Sequence, residues 1–251
     1  MPLSTFAENA ACSSMDADPQ GTARWWWGIG AERGRTLPEV VAMDLQDGAQ
    51  LDRAAAAFDT VIVDCPSRGE LVVRSALTVA DLVLVPCGTE PLDAAPLRDT
   101  LDLIDSARAL RPTLAARVVI TRRLDDEAPL FSVEMAERLA LLDDRILILE
   151  PGRAGAVPLL GVELADREAY QVALVEGQGV TNLRGDADAV REFRAFTDAV
   201  EPCSWRSSSR LLGPTSLVDA GELVGGRCPA AKGRSRVARL PCRNCAGWQA
   251  T

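Results

Sequence analysis

Two short stretches place carboxylates where they could act on a metal ion or a phosphate. The first is Phe58-Asp59-Thr60-Val61-Ile62-Val63-Asp64-Cys65-Pro66, a β-branched apolar run that closes on an acid. Thr60 to Val63 shows no polar alternation, which predicts a strand buried on both faces. Asp64 then stands at the C-terminal end of that strand, where open parallel sheets put their ligands. Pro66 ends the strand and sharpens the turn. A carboxylate in that position can hold the water shell of a metal ion beside a bound phosphate. The plainer alternative is that Asp64 only caps the next turn or helix. The second stretch is Met15-Asp16-Ala17-Asp18-Pro19-Gln20-Gly21-Thr22-Ala23, with two acids around a turn. It too has a plain alternative, an Asx-type turn after a strand.

These acids need a scaffold, and the remaining pattern supplies one. Leu51, Ala54, Ala55 and Phe58 recur at helical spacing, so residues 49–58 read as a helix entering the strand 60–64. A helix over 70–79 and a strand over 82–87 follow. Asp93 reads as the N-cap of a helix reaching Leu110, with Leu97, Leu101, Ile104 and Ala107 inward and Pro112 beyond its end. Arg117 to Thr121 is the next strand, then a helix over 132–142 and a strand from Ile146 to Leu149. Pro151 to Gly161 is rich in Gly and Pro and reads as loop. Asp166 reads as the cap of a helix over 167–176 ended by Gly177, and Asp188 as the cap of the last helix. Trp25, Trp26 and Trp27 read as an aromatic cluster beside a Gly-rich loop (Gly28, Gly30, Gly34), covering the core or an interface. Apolar strands alternating with amphipathic helices indicate an α/β fold, a mostly parallel sheet covered on both sides.

Composition narrows the chemistry. The 251 residues contain no histidine, which removes His-based catalysis and His-containing metal sites. The only lysine is Lys232. Residues 1–200 hold 19 Arg against 33 Asp plus Glu, a net charge of -14, whereas residues 201–251 carry a net +5. An acidic body argues against strong nonspecific DNA binding by that body as a whole. Seven cysteines, two of them (Cys65 and Cys87) at the ends of apparent core strands, suit a reducing compartment better than a disulfide framework. No apolar run is long enough to span a membrane, and the expected location is the cytoplasm. No G-x-G-x-x-G follows a strand, which sets aside a dinucleotide-dependent oxidoreductase.

The order D-x-D-P-Q-G (Asp16 to Gly21), then Val61-Ile62-Val63-Asp64-Cys65-Pro66, then Ala80-Asp81-Leu82-Val83-Leu84-Val85-Pro86 resembles the ParA/MinD family of deviant Walker P-loop ATPases. Arg167 to Val180 looks like that family's C-terminal R-x-A-Y-x-x-A-x-x-x-G-x-G-V, so the resemblance runs from about Met15 to Val200. It implies a P-loop NTPase-like fold, bound ATP and Mg, a role in plasmid or chromosome segregation or cargo positioning, a homodimer, a ParB-like activator and nonspecific DNA as partners. By resemblance Asp18 is catalytic and orients the attacking water. Asp64 and Asp16 bind the metal, and Asp16, Asp64, Pro66 and Arg68 contribute to the cofactor site. The loop after the strand 117–121 would hold the base, but Arg122-Arg123-Leu124-Asp125-Asp126 lacks the Asn often used there.

The chain departs from the family at its start. Residues 1–14 contain neither the glycines whose amides would close on phosphates nor the lysines that would neutralise them. Three domains are therefore expected: a shortened N-terminus over 1–14 without the Walker A loop, a ParA-like α/β domain over 15–200, and a basic, Cys-containing, disordered tail over 201–251. Cys242-Arg243-Asn244-Cys245 has no second C-x-x-C to complete a zinc site. The missing cradle predicts impaired hydrolysis, because phosphoryl transfer rests on positioning and charge neutralisation. The alternative function is a noncatalytic binding or dimerisation module of the same family. An absent central strand would expose pairing edges and favour association.

Overall fold

A computed structural model of the protein describes residues 12–44, 49–66, 70–89, 91–124, 143, 145–147, 156–208 and 235–239. The expected helix over 132–142, Arg68, residues 1–11 and the four tail cysteines fall outside these or, for Cys203, outside the described side chains.

The elements alternate as the hydrophobic pattern requires. Strand β1 (Cys12–Asp16) leads to helix α1 (Thr22–Glu32), β2 (Val40–Ala42), α2 (Gln50–Ala57), β3 (Thr60–Asp64), α3 (Glu70–Val79), β4 (Leu82–Cys87), α4 (Pro91–Leu110) and β5 (Ala115–Arg123). Short strands β6 (Ile146–Leu147), β7 (Val157–Pro158) and β8 (Leu164–Ala165) follow, then α5 (Glu168–Val175), α6 (Ala187–Ser208) and β9 (Ser235–Arg239). Seven strands form one sheet in the order β2-β1-β3-β9-β4-β5-β8, and every described pairing in it is parallel. β6 and β7 pair separately.

Parallel strands need crossover helices on both faces, and the core divides accordingly. On one face α2, α3 and α4 bury Leu51, Val72, Leu77, Leu101 and Ile104 against Met15, Val61, Val63, Val83 and Val85. On the other, α5 and α6 bury Tyr170, Ala173, Phe193 and Phe196 against Leu82, Leu84 and Val119. There α1 packs Trp26 over Cys12, Val40 and Ile62. Val61 and Ile62 thus point to opposite faces and are both buried, as a run without alternation demands. Among the described residues no helix is long and apolar enough to cross a membrane.

Several boundaries differ from the sequence expectation. The tryptophans and Gly28 and Gly30 lie inside helix α1 rather than beside a loop. Gly30 is tolerated because Gly177 presses its backbone against that turn; a Cβ on Gly30 would lie 2.5 Å from the Gly177 carbonyl oxygen. Gly177 itself has φ +58, a conformation that costs any β-carbon-bearing residue. Helix α5 starts without a side-chain cap from Asp166, and Asp186 rather than Asp188 accepts the hydrogen bond of the Ala189 amide, at 2.8 Å. Helix α4 begins at Pro91, two residues before Asp93, using the proline's preset φ at the first helical position.

The stretch expected to be a disordered tail contains two regular elements. Helix α6 continues to Ser208, and Ser235–Arg239 is a strand inside the sheet, between β3 and β4.

Candidate active site

From β1 the chain moves outward to β2, whereas from β3 it moves the other way to β4 and β5. The sheet's topological switch point therefore lies between β1 and β3, and in open parallel sheets the crevice at the C-terminal strand ends there is the ligand position. Asp16 ends β1 and Asp64 ends β3, and the two are register partners. Two of the expected site residues thus share one end of the crevice, on strands about 4.8 Å apart.

Asp16 is 3 % exposed, so its charge needs donors. Its Oδ1 accepts the amide of Asp18 at 3.1 Å and its Oδ2 the amide of Arg24 at 3.0 Å. Arg24 is the third residue of α1, whose N-cap, Gly21, has no side chain to offer. Asp16 therefore caps the helix from eight residues upstream and places negative charge at the positive end of its dipole. The Arg24 guanidinium adds an ion pair, with Nε 3.6 Å from Asp16 Oδ2. Arg24 was not singled out in the sequence. Nothing in its spacing marks it, because the contact depends on the α1 helix folding back over the end of β1.

Asp18 lies on the loop between β1 and α1. Its Oδ1 accepts the Gln20 amide at 2.9 Å and its carbonyl accepts the Gly21 amide at 2.9 Å, an Asx-type turn. Gly21 closes that turn at φ +66. The Ala17 amide donates to the Asp64 carbonyl at 2.9 Å, tying the loop to the end of β3. Cys65 and Pro66 are buried immediately beyond. Burial, followed by the charges of Asp64 and Asp18, pushes the Cys65 thiol far above its ordinary pKa. That thiol stays protonated and is no nucleophile at neutral pH.

At the same edge β5 runs to Arg123, beyond the expected Thr121. Arg122 sits at φ 60, a left-handed conformation unusual for a bulky residue, and the Arg123 guanidinium lies 3.2 Å from Glu163. Arg68 is not among the described residues.

The donor set can be tested against magnesium. Among the described residues no three acidic or sulfur ligands converge to chelate an ion directly. One or two carboxylates at a strand end nevertheless suit magnesium, which keeps most of its waters and takes few protein ligands. The triphosphate of a nucleotide is less well served, since the described residues at this edge include no lysine, and Arg24 is paired with Asp16.

No family model matches the chain. It is 29 % identical over 185 residues to the protein named Maintenance of carboxysome distribution protein A from Halothiobacillus neapolitanus, covering 71 % of this chain and 79 % of the relative. A protein of the same name from Gloeobacter kilaueensis is 26 % identical over 197 residues, covering 76 % of this chain and 81 % of that one. The chain is a ParA/MinD-like protein. The crystal structure of a plasmid partition protein from Borrelia burgdorferi superposes with a TM-score of 0.47 at 11 % identity, over 80 % of this chain and 89 % of that one.

The ParA/MinD-like C-terminal motif takes on a physical meaning in this fold. Ala169, Tyr170 and Ala173 are buried on α5, and Gly177 abuts Gly30. The Gln178 carbonyl accepts the Trp26 indole N–H at 3.2 Å, and the Arg167 guanidinium lies 3.2 Å from Glu192. The motif therefore locks α5 against α1, the helix that Asp16 caps.

Proposed function

We propose that this ParA/MinD-like chain positions or segregates a cellular cargo, and that the crevice between β1 and β3 is the end at which it handles its ligand. Similarity to two proteins named for maintaining carboxysome distribution supports the cargo role. The observation that carries the site is the register pairing of Asp16 with Asp64 at the switch point of the sheet.

In this reading Asp64 holds the water shell of a magnesium ion, with Asp16 beside it, and Asp18 orients a water molecule from its turn. Pro66 sets the chain direction leaving β3, and Arg68, two residues further on in sequence, is the proposed phosphate contact. ATP supplies the transferable phosphoryl group when bound. The proposed partners are a second copy of the chain, a ParB-like activator and nonspecific DNA, in the cytoplasm.

A specific observation favours the noncatalytic form of this reading. Both Asp16 oxygens already accept backbone amides, and the single lysine of the chain is Lys232. Charge clamps in phosphoryl transfer are worth about 10³ to 10⁵ in rate. Hydrolysis by this polypeptide is accordingly weak, and its role rests on binding and association.

Calorimetric titration of the full chain with ATP and Mg, alongside Asp64→Ala and Asp18→Ala and paired with a phosphate-release assay, tests both parts. The expected result is magnesium-dependent binding weakened at least about tenfold in Asp64→Ala, an effect of about 1.4 kcal/mol. Phosphate release should stay at background in every chain. Steady release abolished by Asp18→Ala would overturn the noncatalytic form. A folded sample without magnesium-dependent binding would remove the crevice from the proposal.

A further inference from the structure

Strands β3 and β4 are consecutive in sequence, joined through α3, yet they are not neighbours in the sheet. Residues 235–239 lie between them. β9 pairs in parallel with β3 along its whole length, from Thr60↔Ser235 to Asp64↔Arg239. On its other side it pairs with β4, from Leu82↔Val237 to Leu84↔Arg239. Val237 is thus flanked by Ile62 on one side and Leu82 on the other.

This position is the most demanding in the sheet. Val61, Ile62, Val63, Leu82, Val83 and Leu84 are all buried, so water cannot satisfy the inner ladders of β3 and β4. Without an intervening strand, two strands about 9.6 Å apart would face each other with unmade hydrogen bonds, from the usual spacing of about 4.8 Å. Core packing spans the slot as well, since Val61 and Val63 of β3 share one apolar cluster with Val83 and Val85 of β4. The sheet therefore has a slot between β3 and β4 that an extended five-residue segment fills, pairing with a strand on each side. Residues 209–234 separate that segment from the end of α6, so it enters the slot from 26 residues away in sequence.

We propose that the gap between β3 and β4 is a strand-binding site, and that its ligand is Ser235–Arg239 of the same chain, inserted in parallel. The C-terminal segment is then the closing strand of the fold and joins the two halves of the sheet, β2-β1-β3 and β4-β5-β8. Recognition is by the backbone, as when an extended peptide augments a sheet, except that here both edges of the peptide are paired. A strand held in this way, at the end of a long connection, can be displaced by the same segment supplied as a separate peptide.

The test begins with the unaltered full chain. Hydrogen exchange followed by mass spectrometry should show residues 236–239 exchanging at least about a hundredfold more slowly than an unstructured peptide, on a par with residues 61–64. That protection should not change with protein concentration. In the full-length Val237→Pro chain the proline removes a ladder donor. Protection should then fall at both 61–64 and 82–84, and an added synthetic peptide of residues 233–241 should restore it, whereas the same peptide carrying Val237→Pro should not. Rapid exchange at 236–239 while 61–64 stays protected would overturn the proposal. So would a Val237→Pro chain with unchanged protection at β3 and β4. Protection of 236–239 that appears only as the chain dimerises would mean that a second copy supplies the strand, and the assignment to the same chain would fall.

Discussion

Two groups of aspartates in this molecule are stabilised by different means. At the β1/β3 edge, Asp16 is satisfied by two backbone amides and the start of α1, and Asp18 by the amide of its own turn. At the other group, Asp102, Asp105 and Asp143 converge on one guanidinium. Arg145 Nη1 lies 2.8 Å from both Asp102 Oδ1 and Asp105 Oδ2, and its Nε lies 2.8 Å from Asp143 Oδ1. Side-chain hydrogen bonding to Arg145 holds the Asp143 carboxyl below the usual range. The first group is held mainly by main-chain amides, with the Arg24 guanidinium paired to Asp16 beside them. The second is held mainly by the Arg145 side chain just before β6, which ties Asp143 to α4, with Arg98 and Arg108 also paired to it. A cluster of carboxylates is therefore not in itself a site. What distinguishes the two is whether backbone amides or a guanidinium supply most of the hydrogen bonds to the acids.

The largest effect that would probe this contrast is at Asp16. In Asp16→Ala the amides of Asp18 and Arg24 lose their acceptor and α1 loses its cap, which should cost about 2–4 kcal/mol in urea unfolding. Asp16→Asn keeps one acceptor oxygen but turns an NH2 toward the second amide, so it should recover only about 1 kcal/mol of the Asp16→Ala loss. An Asp16→Ala loss below about 0.5 kcal/mol would mean that these amides do not depend on the acid, and the contrast fails.

A smaller loss is expected in Arg145→Met, which removes the guanidinium shared by three acids at a partly exposed place and leaves Arg98 by Asp143 and Arg108 by Asp105. We expect about 1–2 kcal/mol at low salt, shrinking as NaCl approaches about 1 M. The Asp16→Ala loss should barely change with salt. Equal salt dependence of the two midpoints would remove the distinction.

The finest test uses acid. Asp143 has a depressed folded-state pKa, so its contribution is complete above the unfolded carboxylate value of about 3.9 and is lost as pH falls through the folded value. The difference in unfolding midpoint between the natural chain and Asp143→Asn should accordingly be steady from pH 7 to about 5 and narrow only as pH falls below the unfolded carboxylate value of about 3.9. A difference that also narrows between pH 7 and about 5 would show that a group other than Asp143 sets it.

Much of the fold was legible because local pattern and tertiary burial agree. The unalternating run Thr60–Asp64, the helix Glu70–Val79 and the strand Leu82–Cys87 lie where apolar spacing puts them. Helix α1 was not legible, since Trp25-Trp26-Trp27-Gly28-Ile29-Gly30 has poor helix formers. It is helical because Trp26 is fully buried under α5 and Gly30 meets Gly177. The helix caps were misplaced by two residues at Asp188, because an acid two residues upstream, Asp186, reaches the same amide group. Asp16 and Asp64 were legible as acids at strand ends, but the helix that engages Asp16, and Arg24 upon it, were not.

The alternation of strands and helices, the placing of Asp16 and Asp64 at the ends of apolar strands, and the ParA/MinD-like motif order can all be read from the residues in line. These are properties of neighbouring residues and of periodicity. That the two acids are register partners at the switch point, and that Ser235–Arg239 lies between β3 and β4, emerges only in the folded sheet. Both depend on strand order, which is set by which buried ladders find partners. A five-residue strand far along the chain carries no local mark of the slot it closes.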